Sequence, residues 1–337
     1  MMIFSLATFI TYACRRAAPM ESGNCLWRQN NYVSPMRLPI IHAPAYDAEF
    51  PAGHRFPMAK YSLLAKRLMQ DGLASPGEFI VPSAAPASWV KLAHHSDYVD
   101  QVYAFDVPDQ IQKLVGFEMT DKAIIRAQTA TTGTVMAARL ALEHGIACNT
   151  AGGSHHAGLM HGAGFCTFND VAVAAKLLLA DGDIASALIV DLDVHHGDGT
   201  AEILTADDRV FTFSMHAQNN YPTVKPPSDW DIGLADGMED LAYLKQLALA
   251  LETLHDRLPL LDIVFFNAGV DVHGDDRLGR LAMTSHGIEK RERMVISHFH
   301  RRGIPVCGVI GGGYAHNAQE VADRHAILFH VASEFVR

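Results

Sequence analysis

Carboxylates and imidazoles crowd the stretch Asp191, Asp193, His195, His196 and Asp198, directly after the apolar run Leu188-Ile189-Val190. In an extended chain Asp191, Asp193 and His195 lie two apart and share one face. A carboxylate and an imidazole so spaced can grip one metal ion. A loop after a strand often carries a single Asp or His. This density, after a run that must be buried, points to chemistry instead. Three further strand ends carry reactive types: His155-His156 after Gly152-Gly153-Ser154, Asp271 after Ala268-Gly269-Val270, and Tyr314 after Gly311-Gly312-Gly313. Asp193, His195 and Asp271 together would supply two carboxylates and one imidazole, leaving positions open for water and substrate. That describes a catalytic metal site and not a structural one. His155 and His156 would stand beside the water. A histidine base needs an orienting carboxylate, and Asp191 and Asp198 are the spare candidates. A triple glycine can also cradle phosphate, but no P-loop lysine follows this one.

These groups can meet only if strands bring their ends to one edge. The chain reads as strands alternating with helices. Strands are expected at Arg37–His42, Ile146–Thr150, Leu188–Asp191, Val210–Ser214, Asp262–Asn267 and Pro305–Ile310. Helices are expected at His54–Asp71, Asp121–His144, Asp170–Ala180, Ala201–Leu204, Leu241–Leu258, from a Thr284 cap to Gly303, and Asn317–Val336. Trp89–Tyr103 carries helical or mixed signals, and its His94-His95 pair reads as structural. Met215–Asp240, with Pro222, Pro226 and Pro227, reads as one long loop. The alternation predicts an α/β fold, with a parallel sheet and helices on both faces. Parallel strands put their C-terminal ends on the same edge, where such sheets bind ligands.

The 337 residues are 49% hydrophobic and carry a net charge of -10. A core of that size suits one large catalytic domain, assigned to residues 36–337. The acidic balance argues against direct nucleic-acid binding. Five scattered cysteines indicate a reducing, cytoplasmic setting with no disulfide framework. Met1–Ala13 is apolar, but its arginines follow the run, unlike a signal peptide, and it is too short and interrupted to span a membrane. Residues 1–35 read as a poorly ordered extension, with Met36 as an alternative start.

Five segments in order resemble the zinc-dependent histone deacetylases of the arginase/deacetylase superfamily. They are Gly152-Gly153-Ser154-His155-His156-Ala157, Gly164-Phe165-Cys166-Thr167-Phe168-Asn169-Asp170, Asp191 to Gly199, Ala268 to Asp271 with Gly274 to Gly279, and Gly311 to Tyr314. Leu38–Tyr61 and Arg126-Ala127-Gln128-Thr129 look closest to the class IV branch and its bacterial relatives. The resemblance implies an arginase-like three-layer fold with a mainly parallel, eight-stranded sheet. It implies Zn²⁺, or Fe²⁺, on Asp193, His195 and Asp271. It makes His156, paired with Asp198, the general base and acid, His155 with Asp191 its electrostatic partner, and Tyr314 the group that polarises the acyl carbonyl. Phe165 and Tyr221 would wall an acyl-lysine channel, with Gly164 at its floor and Gly312 beside the substrate. A structural K⁺ would sit near Asp191, Asp193, His195 and Ser214. The implied substrate is an acylated lysine of a protein or peptide, or else a small acylated amine such as an acetylpolyamine. A binding module without turnover and a two-metal guanidine hydrolase are the remaining readings. Three departures stand out. Lys60 occupies the place of a frequent Arg on which an acetate-release channel would depend. Tyr221 replaces a common Phe. Asp198 is kept where some class IV members carry Asn.

Overall fold

The computed structural model describes residues 37–51 and 53–336. The extension assigned to residues 1–35, with its alternative start, lies outside them. The strands are β1 (Ile40–Ile41), β2 (Ile146–Asn149), β3 (Ala187–Asp191), β4 (Val210–Ala217), β5 (Trp230–Leu234), β6 (Ile263–Asn267) and β7 (Val306–Val309). They form one sheet in the order β1-β2-β7-β6-β3-β4-β5, and every pairing is parallel. Side chains alternate between two cores. Leu188, Val190, Val264 and Phe266 face one, while Ile189, Phe265, Cys307 and Val309 face the other. Strands buried on both faces need apolar residues at every position, which is why these runs are continuous.

The helices are α1 (Lys60–Gln70), α2 (Ala87–Val90), α3 (Ser96–Tyr103), α4 (Asp109–Val115), α5 (Asp121–His144), α6 (Asp170–Asp181), α7 (Asp198–Leu204), α8 (Asp240–Arg257), α9 (Ser285–His300) and α10 (Ala318–Ser333). Their ends follow local chemistry. Thr120, Asn169 and Thr284 each accept a bond from a first-turn N–H of α5, α6 and α9. Gly145 and Gly182 close α5 and α6 in the left-handed region. Residues of α1, α8, α9 and α10 pack into the first core, and those of α3, α5 and α6 into the second.

Several expectations need correction. The sheet has seven strands among the described residues, not eight; beyond β1 there is only a single-residue bridge, Ile41 to Ile80. The long loop contains β5, because β4 runs on to Ala217 and pairs with it from Phe213 to Ala217. The first long helix starts at Lys60 and not at His54, since Pro57 lies before it. Trp89–Tyr103 divides into two short helices, and α4 was not anticipated. Among the described residues no helix is long and apolar enough to cross a membrane.

Candidate active site

β3 ends at Asp191, and the chain then turns instead of remaining extended. Asp191 Oδ1 accepts from the Asp193 N–H at 3.1 Å, and Asp193 Oδ1 accepts from the His195 N–H at 3.0 Å. These turns separate Asp191 from its neighbours. Asp193 and His195 join Asp271, beyond β6, and the three can present ligand atoms all within 4.8 Å of one another. His195 Nδ1 lies 3.0 Å from Asp193 Oδ1 and 3.1 Å from Asp271 Oδ2. All three residues are buried. Burial opposes charge on His195, but the two carboxylates outweigh it and raise the ring to about 10. Burial and the Asp193 charge push Asp271 up to about 7. Two buried carboxylates facing one imidazole form an anionic nest that a single divalent cation neutralises, so this donor set fits a metal. Backbone closes the nest: Gly312 N–H donates to Asp193 Oδ2 at 2.7 Å, and Val194 N–H to Asp271 Oδ1 at 2.9 Å. A Cβ on Gly312 would come within 2.0 Å of Asp271 Oδ2, so only glycine fits there.

A second group, His196, His216 and Asp231, also has ligand spacing. It shares no residue with the first, so the two lack the bridging ligands of a two-metal hydrolase.

His155 and His156 follow β2 with ring centroids 4.1 Å apart. His155 Nδ1 lies 2.7 Å from Asp191 Oδ2, and His156 Nδ1 lies 2.5 Å from Asp198 Oδ1 at the start of α7. Burial works against charge on His155, but Asp191 and Asp193 prevail and hold it up at about 9. Burial, then the neighbouring His155, push His156 down to about 4. The two rings are thus driven apart, His155 toward its protonated form and His156 toward its neutral form. Tyr314 follows β7. Its N–H donates to Asp276 Oδ2 at 2.6 Å, and its carbonyl accepts from Arg277 Nε at 2.7 Å. Its ring lies 6.1 Å from that of His195 and 5.7 Å from that of Phe165.

Of these residues, His156, His195 and Tyr314 line a cavity of about 580 Å³, together with Phe165, Tyr221 and Leu278. Tyr221 packs edge-on against His156 at 4.8 Å. Phe165 adopts a positive φ of 67°, a region costly for a side-chain-bearing residue, and its N–H donates to Val115 O at 2.7 Å. Gly164 lies under His156, where a Cβ would sit 2.5 Å from the ring. Of the expected potassium set, Ser214 pairs in register with Asp191 across β3 and β4.

With that geometry in view, the comparisons are decisive. The histone deacetylase domain matches residues 54–328. The chain belongs to the histone deacetylase family. An uncharacterized protein of Picosynechococcus sp. is 44% identical over 299 residues, covering 89% of this chain and 99% of that protein. Histone deacetylase 2 of Arabidopsis thaliana is 27% identical, covering 85% and 76%. The acetoin utilization protein AcuC of Staphylococcus aureus is 28% identical, covering 70% and 66%. The crystal structure of a histone deacetylase homologue complexed with SAHA superposes with a TM-score of 0.75 at 23% identity, covering 89% of this chain and 84% of that one. That last likeness supports the α/β fold.

The histone deacetylase motifs contain His156, His195 and Tyr314, which line the cavity, and some, but not all, of the residues that hold them. Asp170 is fully enclosed; it accepts from Ser154 N–H at 2.8 Å, Gly153 N–H at 3.2 Å and Thr134 Oγ1 at 2.6 Å, fixing the loop that carries His155 and His156. It is the last residue of the Gly164–Asp170 motif. His94, read as structural, contacts Gly158 O at 2.8 Å and accepts from the Asn169 N–H at 2.9 Å. Arg291 of α9 donates from Nη1 to Leu192 O at 3.1 Å and Gly269 O at 2.8 Å, tying together the loops of Asp193 and Asp271. No spacing rule connects residue 291 to either loop, so nothing in the sequence marks it. Lys60 is fully buried; its Nζ donates to Gly311 O at 3.1 Å and lies 5.6 Å from the Tyr314 ring. Burial, then Arg126, push its ammonium down to about 8.

Proposed function

We propose that this histone deacetylase-family hydrolase is a zinc-dependent lysine deacylase of the class IV kind, acting in the cytoplasm on acylated lysines of proteins or peptides. The observation that carries the reading is that His156, His195 and Tyr314 line one cavity, with Asp193 and Asp271 grouped around His195 and Asp198 paired to His156. Asp193, His195 and Asp271 would hold the Zn²⁺, whose Lewis acidity polarises a carbonyl and acidifies water. His156 has Nδ1 committed to Asp198, leaving Nε2 to take a proton from water and return it to the departing amine. His155, charged beside Asp191, opposes the negative charge that builds on the attacked carbonyl. The Tyr314 hydroxyl donates to that oxygen. Phe165 and Tyr221 flank the aliphatic stem of the lysine, with Gly164 below and Gly312 beside the acyl group. K⁺ is assigned to the Asp191, Asp193, His195 and Ser214 region, where it would stiffen the loop after β3.

The test uses the full chain loaded with Zn²⁺ or Fe²⁺, acyl-lysine peptides of increasing acyl length, and acetylpolyamines. Turnover of the peptides, lost on chelation and restored by metal, is expected. Preferential turnover of acetylpolyamines would replace the substrate class. Binding without turnover would make the chain a reader of acyl-lysine. Asp193→Ala should abolish activity and most metal uptake, because one of three ligands and its charge are gone. Unchanged metal content by atomic emission would discard the ligand set.

A further inference from the structure

Among the described residues that line the cavity, Arg55 is the one Arg or Lys. Among those residues no Asp or Glu lines it. Arg55 does line it, is exposed, and among the described residues its guanidinium has no hydrogen-bond or ion-pair partner. Its backbone is nevertheless held. Arg277 donates from Nη2 to Arg55 O at 3.0 Å and from Nε to Tyr314 O at 2.7 Å. One guanidinium therefore ties the backbone of Arg55 to that of Tyr314. Lys225 adds positive charge nearby. Its Nζ donates to Asn220 O at 2.7 Å and Pro222 O at 2.6 Å, on either side of Tyr221. The lining also includes His54, Leu114, Gly116, Leu278 and Asn220, none of them a carboxylate. On a chain of net charge -10, this is a local feature and not part of a general basic surface.

We infer that Arg55 is a specificity-determining residue, which selects acyl-lysines carrying a carboxylate beside the reacting side chain. The carboxylate has two possible sources: an acidic residue flanking the acyl-lysine in a peptide, or the α-carboxylate of a free or C-terminal acyl-lysine. A planar, permanently charged fork suits either one. The same lining would disfavour polycationic amines, for which its described residues offer no carboxylate. This inference rests on the acyl-lysine reading above.

The experiment compares kcat/KM for acetyl-lysine peptides flanked by Asp, Asn or Lys, for free Nε-acetyl-lysine and its α-amide, and for N-acetylputrescine. With wild type, the Asp-to-Asn ratio should be about fivefold, the upper range for an exposed ion pair. The Lys-flanked peptide should be poorer than the Asn one. The difference should lie mainly in KM and should shrink near 1 M salt, where the screening length is about 3 Å. Arg55→Ala should bring the ratio to about one, and Arg55→Glu should invert it in favour of Lys. Because a ratio is read, a general loss of activity in either variant does not obscure the result. A carboxylate preference confined to free acetyl-lysine assigns the α-carboxylate, and one confined to peptides assigns the side chain. Turnover of the Asn peptide without an acidic preference, or a preference surviving in Arg55→Glu, overturns the role of Arg55 alone. Faster turnover of N-acetylputrescine than of every peptide overturns this inference together with the reading beneath it.

Discussion

His155 and His156 are consecutive imidazoles whose proton affinities are pushed in opposite directions, and each keeps its own carboxylate. That division assigns different tasks. His156 is neutral above about 4, so it can accept a proton across the physiological range. His155 stays charged until about 9. The signs fix the pH profile of kcat/KM. Activity should rise as pH climbs through the low value, where His156 loses its proton, and fall near the high value, where His155 loses its charge. An acid limb near the ordinary imidazole value of about 6.5 would contradict the assignment. His156→Ala should cost more than His155→Ala, since it removes proton transfer itself; the reverse order in steady-state kinetics would exchange their roles. Tyr314 makes a separate prediction. Its ring stays packed against Phe165 and His195 when the hydroxyl alone is removed. Tyr314→Phe should keep fold, metal content and KM, while kcat falls by about 10²–10³, the cost of one oxyanion donor. A loss under about threefold, well short of that cost, would make Tyr314 a packing residue.

Helix α9 shows how an element outside the motifs governs the site. Arg291 and Glu292 are buried together, joined by bonds of 2.6 and 3.1 Å, while Arg291 Nη1 reaches the backbone of both metal-nest loops. Removing one partner of such a pair strands the other. Arg291→Met should therefore cost about 3–5 kcal/mol in denaturant unfolding. The double change with Glu292→Leu should recover much of that stability but not metal affinity, because the loops stay untied; recovery of both would make Arg291 a packing element only. The central strands were legible because burial on both faces demands unbroken apolar runs. Strand β5 was not: it lies at the sheet edge, alternates partly exposed with exposed residues, and follows three prolines. Helix α4 was missed because seven mostly polar residues give no clear period. The reactive side chains were legible because they sit at strand ends beside glycines. The holding roles of Asp170 and Arg277, which lie within the motifs, and of Arg291, which lies outside them, were not, since they depend on backbone groups far along the chain.

Across the whole molecule, enclosed neutral histidines set its response to acid. Burial lowers His42 and His94 to about 4 in the folded state. Unfolded imidazoles bind protons near 6.5, so between these values the unfolded chain holds more protons and stability rises with pH. The contribution is fully present above the upper value and is lost as pH falls to the lower one. His94 alone accounts for about 3 kcal/mol on this scale. The urea midpoint should drop steeply over that window, and His42→Asn should make the drop shallower; an unchanged slope would remove His42 from the explanation.

The position of β7 has a consequence for how the molecule is made. It is late in the sequence yet central in the sheet, between β2 and β6. Until Val306–Val309 leaves the ribosome, Ile146–Asn149 and Ile263–Asn267 each present an open edge, the latter with the sequence Ile-Val-Phe-Phe-Asn. Apolar open edges recruit strands from other chains, so the interval before seam closure is when a growing chain most needs shielding. The strand that closes the seam also delivers Gly312 and Tyr314. Covering the sticky edges and completing the reactive set are thus one event, and a chain that turns over substrate has already passed its most hazardous stage.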